Sequence, residues 1–241
     1  MKNRVSRTLI AAGIVACIVC GIASSEVTPI ENILVVDENG MGIFPGLSTM
    51  DPVTVEGIAL NSAGELNSSP DNQDFIVYVQ DDTAGAMVYS GEWYGGGIPV
   101  RGTCTAGMRI RVTSLTGFYK GQTNLNDRHS IANDMIIEEL EMVGVPEPGT
   151  VSNINEATVF DQTCRIGGEK LQGTLRRIED CWISDGVWPA ASQSAFLTIR
   201  DPSGAQMGLR LVGAGDFFEN SQPATRFDIV GIFEQEDSDS P

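Results

Sequence analysis

Three adjacent carboxylate pairs, Asp81-Asp82, Glu138-Glu139 and Glu179-Asp180, are the first places to look for acid–base chemistry. Each lies in or beside a stretch that alternates like a strand, where neighbours project to opposite faces, so neither partner of a pair helps the other as a dyad. A single histidine, His129, excludes any mechanism that needs two. No G-x-S-x-G, Walker loop or Cys–His arrangement is present. Beyond the N-terminal Cys17 and Cys20 no CxxC spacing occurs, and one imidazole does not make a zinc site. Asp37-Glu38-Asn39-Gly40 has calcium-loop composition but not EF-hand spacing, and reads as a turn. The expectation is a protein with no cofactor, no metal and no catalytic residues.

The side chains suited to holding a ligand are aromatic and cationic. Tyr78 and Gln80, with Arg109 and Arg111, fall on the outward phase of two alternating runs, and Tyr89 follows in the next run. Trp93, beside Gly95-Gly96-Gly97, and the pair Tyr119-Lys120 extend such a surface. Trp182 and Trp188 flank Ser184-Asp185-Gly186-Val187 in what reads as a loop, and Arg200 and Arg210 are again outward. An aromatic platform gains roughly 1–3 kcal/mol for each stacked base, and a Trp face also suits a sugar ring. The bland alternative is that the aromatics plug the core and the arginines hydrate an acidic surface. Arg176-Arg177 reads as a salt-bridged edge.

The elements that must position these residues follow from composition and pattern. The 241 residues hold 15 Lys+Arg against 32 Asp+Glu, a charge of −17, with 41% hydrophobic residues. That is enough apolar content for real cores and the wrong balance for sequence-independent binding to phosphate. Lys2, Arg4 and Arg7 precede an apolar run from Leu9 to Ile22, and Gly21-Ile22-Ala23 supplies a small-x-small cleavage site after Ala23. This reads as a signal segment over 1–23, too short to span a bilayer, and the protein as exported: periplasmic, cell-surface or secreted. Lipoprotein processing at Cys17 is a minor alternative. Cleavage removes three cations, so 12 then face 32 acids and the charge becomes −20. Of the remaining Cys104, Cys164 and Cys181, the last two are nearer in sequence and are the candidate disulfide.

Short alternating runs occur twice in one order. Val53–Ile58, Asp74–Asp81, Ala86–Ser90 and Gly107–Thr113 are followed by Lys170–Leu175, Ala195–Asp201, Gly208–Val212 and Arg226–Gly231. Asp81-Asp82-Thr83-Ala84-Gly85 and Asp201-Pro202-Ser203-Gly204 are matching turns. Met135–Val143 is expected to close the first unit. Pro146-Glu147-Pro148-Gly149 is a stiff linker, which gives a first domain over 24–145, the linker at 146–149, a second domain over 150–237 and an acidic tail over 238–241.

The order VTVEGIAL, DFIVYVQDDTAGAMVYS, GMRIRVTSLTGFYKGQTNL, LEMVGVPEP over roughly 50–148 resembles the OB-fold module of bacterial extracellular nucleases and related small exported proteins. FLTIRDPSG at 196–204 carries a weaker match for the second unit. Ser114, where a Gly is usual, and the enlarged Asn126–Ser130 stretch depart from the pattern. The resemblance implies an all-β chain of two five-stranded Greek-key OB barrels in tandem after the signal. It implies ligand binding across strands two and three. The expected function is a non-catalytic binding module with weak affinity for single-stranded nucleic acid, against which the charge works. The alternatives are a protein- or glycan-binding envelope module using the Trp-bearing loops, and an accessory to a secreted nuclease or other hydrolase.

Overall fold

Apolar side chains at every second position make strands, because alternate residues of an extended chain share one face. In the computed structural model of the chain, residues 26–37, 41–67, 74–90, 104–127, 135–158, 160–161, 166–213 and 221–234 are described. The segment read as a signal, with Cys17 and Ala23, lies outside them, as do Trp93, Cys164 and the acidic tail. Among the described residues no helix is long and apolar enough to cross a membrane.

The first unit has two short helices, α1 (Ile30–Ile33) and α2 (Gly46–Thr49). Six strands follow: β1 (Val53–Ala59), β2 (Phe75–Gln80), β3 (Gly85–Ser90), β4 (Met108–Tyr119), β5 (Gln122–Asn126) and β6 (Ile136–Met142). The hydrogen-bonded path runs β1-β2-β3-β5-β4 and returns from β4 to β1, with β6 outside β4. Only β3–β5 is parallel within it. That closed path is an OB-fold barrel. β1 faces β4 along Val53–Ile58 and β2 at Ile58–Ala59. Gly57 lies at the crossing, where a side chain would overlap the Gln80 carbonyl. Phe75, Val77, Val79, Ile110 and Val112 fill the core, as their alternation requires.

Met135–Val143 does not close the barrel. Closure falls to β5, which reverses from β4 through Lys120 (φ 50°) and Gly121 (φ 81°). Consecutive positive φ values match the twist of a two-residue hairpin. β5 buries Leu125 on one side while Gln122, Asn124 and Asn126 occupy the other, so its polar letters conceal a strand.

The second unit contains β7 (Gly149–Val151), α3 (Ile154–Thr158), β8 (Phe160–Asp161), β9 (Ile166–Gly167) and α4 (Gly168–Leu171). It continues with β10 (Leu175–Asp185), β11 (Ala195–Arg200), β12 (Gln206–Leu211) and β13 (Phe227–Ile232). Its sheet runs β12-β11-β10-β13, repeating the strand order of the first four elements of the barrel, and β7 joins β10 in parallel as a fifth strand. The chain is therefore all-β, with the OB-type order used twice. The expected strand at Lys170–Leu175 is instead the turn α4 leading into an eleven-residue β10. Trp182 accordingly lies on a strand and not in a loop.

One joint recurs in both units. Asp81, just after β2, accepts the Ile30 N–H at the start of α1 (2.8 Å) together with Thr83 and Ala84 N–H groups (2.7 and 2.8 Å). Asp201, just after β11, accepts the Ile154 N–H at the start of α3 (2.6 Å), the Ser203 N–H (3.0 Å) and the Ser203 hydroxyl. Burial alone would raise the Asp201 carboxyl, but these hydrogen bonds outweigh it and hold the group below its ordinary value.

Cys181 is a free thiol in the second core, its Sγ turned toward the Ile178 and Glu179 carbonyls of its own strand, and Cys164, its candidate disulfide partner, lies outside the described residues. Cys104 is free in the first core. Burial first, then nearby carboxylates, pushes both thiols up to about 11.

Candidate functional site

Strands two and three of the first barrel turn Ile76, Tyr78, Met87 and Tyr89 away from their own core and toward the second unit. The Leu175 N–H donates to Gln80 Oε1 across the junction (2.8 Å). Gly85 meets the Gly173 carbonyl so closely that a side chain on either glycine would overlap the other's backbone. Tyr78 is only 3% exposed and its hydroxyl faces Glu234. Burial, then the Glu234 carboxylate, raises that phenol well above its usual value, and Arg210 opposes the shift. Tyr78 and Gln80 thus form a junction and not an open ligand surface. Alternation decides which face a side chain takes, not what comes to cover it.

Arg109 and Arg111 are not brought to that face. They lie on β4 between β1 and β6. Arg109 pairs with Glu141 (3.3 Å), and Arg111 bonds Glu56 (2.7 Å) and Glu138 (3.1 Å). Their charge is spent on carboxylates of neighbouring strands, so the expected Tyr78/Arg109/Arg111 platform does not exist. Trp182 is half-buried and its ring carries the Arg226 guanidinium at 4.7 Å, itself paired with Asp180 (2.6 Å). Trp188 is half-buried farther along the chain.

What the fold does assemble is a cleft of about 1080 Å³ between the units. Tyr89, Phe118, Tyr119 and Lys120 line it from the first barrel, with the Lys120 ammonium 5.6 Å from the centre of the exposed Tyr119 ring. Arg176, Phe196, Gly208 and Arg210 line it from the second. Its floor includes Ile199, Met207, Leu209 and Ile229, between β12 and β13, where no described strand pairs.

Phe196 is 67% exposed and lies directly across β11–β12 from Arg210. Its ring rests over Gly208, where even a methyl group would come within 2.7 Å of it. Arg200 shares the same outward phase of β11, opposite Gln206. Arg176 is half-buried and donates to Thr174 Oγ1 (2.8 Å), and burial lowers its pKa. Among the described residues neither Arg176 nor Arg210 has a carboxylate within ion-pair distance. The salt-bridged edge expected at Arg176 is therefore not found.

The candidates Tyr89, Tyr119, Lys120 and Arg210 line this cleft, while Arg200 is not among its lining residues. Phe196 and Gly208 join them without having been singled out by sequence, as does Arg176, which was expected at a salt-bridged edge. Phe196 was legible, because the inward phase of Leu197 and Ile199 sends it outward with Arg200. Gly208 was not, because its role depends on register with the neighbouring strand. Among the described residues no three His, Cys, Asp or Glu side chains gather around a common point that would hold a metal ion.

No protein-family profile matches the chain, and no curated protein matches it. Among solved structures it is similar to a murine DNA-binding protein bound to double-stranded DNA, at 11% identity and TM-score 0.36 over 68% of this chain and 75% of that one. It is also similar to a HINa domain in complex with 20-base-pair double-stranded DNA, at 12% identity and TM-score 0.35 over 65% and 73%. Overlap this loose leaves the fold to rest on strand order, and nothing those proteins bind passes to this chain.

Proposed function

We propose that this chain is an exported, non-catalytic binding module that takes a short stretch of single-stranded nucleic acid across the β11–β12 face and into the cleft. The observation that carries the reading is Phe196, an exposed ring lying against a glycine with Arg200 and Arg210 on the outward phase of the same strand pair. A base stacks on such a ring whatever its identity, and the flanking guanidinium groups suit the phosphates. Arg176 and Lys120 add positive charge in the cleft, so the ligand meets local cations within a chain of net charge −17. The field of the whole molecule keeps the affinity low and the bound stretch short. A glycan reading has less support, because the Trp182 ring is already occupied by Arg226.

The test is fluorescence anisotropy of a labelled single-stranded oligonucleotide with the full chain at about 20 mM salt. Binding at micromolar protein is expected, weakening with salt at a log–log slope of about −0.7 for each phosphate contact. Phe196→Ala should cost roughly 1–3 kcal/mol, the worth of one stacked base. Absence of binding at low salt, or full affinity in Phe196→Ala, overturns the reading.

A further inference from the structure

The β6 strand at the far side of the first barrel has one partner, β4, and among the described residues its other edge is unpaired. Edge strands in soluble proteins are normally short, bulged or studded with charge, because an open row of N–H and C=O groups recruits other strands. β6 is seven residues long and carries Ile136 (51% exposed), Leu140 (41%) and Met142 (57%) in solvent. The bulge opposite Arg109 and Ile110 leaves Leu140 with no residue across from it. Between the apolar positions stand Glu138, Glu139 and Glu141. Arg111 and Arg109 reach Glu138 and Glu141, while Glu139 makes no ion pair among the described residues.

We infer that the free edge of β6 is a docking site for an extended, basic segment of a partner protein, one that alternates apolar side chains with Lys or Arg and adds as a further strand. Main-chain hydrogen bonds to the edge supply the affinity, and alternate side chains supply the choice of partner. Charge selects among the candidate occupants. A second copy of this strand would bring three more carboxylates against three, whereas a basic strand meets them with opposite charge. The apolar residues of the partner would cover Ile136, Leu140 and Met142. No β6 residue lines the cleft, and the inference stands whether or not the cleft takes nucleic acid.

The experiment titrates labelled peptides of about ten residues against the full chain: alternating Lys/Val, alternating Glu/Val, and the Lys/Val peptide N-methylated at every residue. The Lys/Val peptide is expected to bind roughly tenfold or more tightly than the Glu/Val peptide. N-methylation should abolish binding, because it removes the ladder donors of both edges. Glu139→Lys and Leu140→Lys, both at exposed positions, should each weaken binding several-fold, and hydrogen exchange of β6 amides should slow in the complex. Phe196→Ala should leave peptide binding unchanged, which separates this site from the cleft. Equal binding of the N-methylated peptide would mean charge attraction without strand addition and would overturn the inference. So would absence of binding, protection confined to other strands, or a self-associated β6 edge seen in sedimentation velocity.

Discussion

Replacement of Asp201 by alanine puts the shared joint to the test. Its carboxylate ties the end of β11 to the start of α3 through the Ile154 N–H at 2.6 Å, and it closes the following turn through Ser203. Ile154 is fully buried, so its N–H has no water to turn to once the carboxylate is gone. A hydrogen bond to a charged acceptor contributes about 1.5–3 kcal/mol, and a stranded buried donor costs about 1–3 kcal/mol. These are not additive within one joint, so about 2–4 kcal/mol is expected for Asp201→Ala. With slopes of about 1–3 kcal/mol per molar urea, the midpoint should fall by about 1 M or more. Urea unfolding followed by Trp182 and Trp188 emission, in a Trp93→Phe background, reads the second unit alone.

The pH dependence is a second readout on the same residue. A carboxyl held below its unfolded value of about 3.9 adds stability that is fully present above that pH and is lost as pH falls through the folded value. The gap between wild type and Asp201→Asn should therefore hold at neutral pH and narrow below about pH 4. A midpoint for Asp201→Ala within about 0.5 kcal/mol of wild type would refute the reasoning, since that is the ordinary scatter for surface substitutions.

Two further outcomes concern the junction and the thiols. Gly85→Val should force the barrels apart, because even its Cβ would overlap the Gly173 carbonyl; a larger radius of gyration in X-ray scattering is expected, and an unchanged profile counts against the close contact. Cys104 and Cys181, buried and pushed up to about 11, should resist a thiol reagent at pH 8 in the folded chain and react in urea; prompt native reaction would contradict their burial.

Much of the architecture was written in local pattern. Val53–Ile58, Asp74–Asp81 and Ala195–Asp201 alternate because one face of each strand must leave water, and that requirement needs no knowledge of distant partners. The paired Asp turns were equally visible, since Asp81 and Asp201 satisfy backbone donors within three residues of themselves as well as the distant helices. β5 was hidden because QTNLN looks like loop composition. Its amides are tolerated only because Gly117, opposite Asn124, leaves room for the Asn124 and Asn126 side chains.

The amino-acid sequence alone thus determined the all-β class, the duplicated strand order and the inward phase of the core residues on the strands it revealed, all consequences of interactions within a few residues. Tertiary structure decided which outward residues stay available. Arg109 and Arg111 met Glu141, Glu56 and Glu138 across strands, and Tyr78 met Glu234 across the two units. Phe196, across from Arg210 and against Gly208, stayed open. The arginine and tyrosine pairings join residues 27 to 156 positions apart, and period-two alternation carries no information over that range because register and docking, not phase, set them.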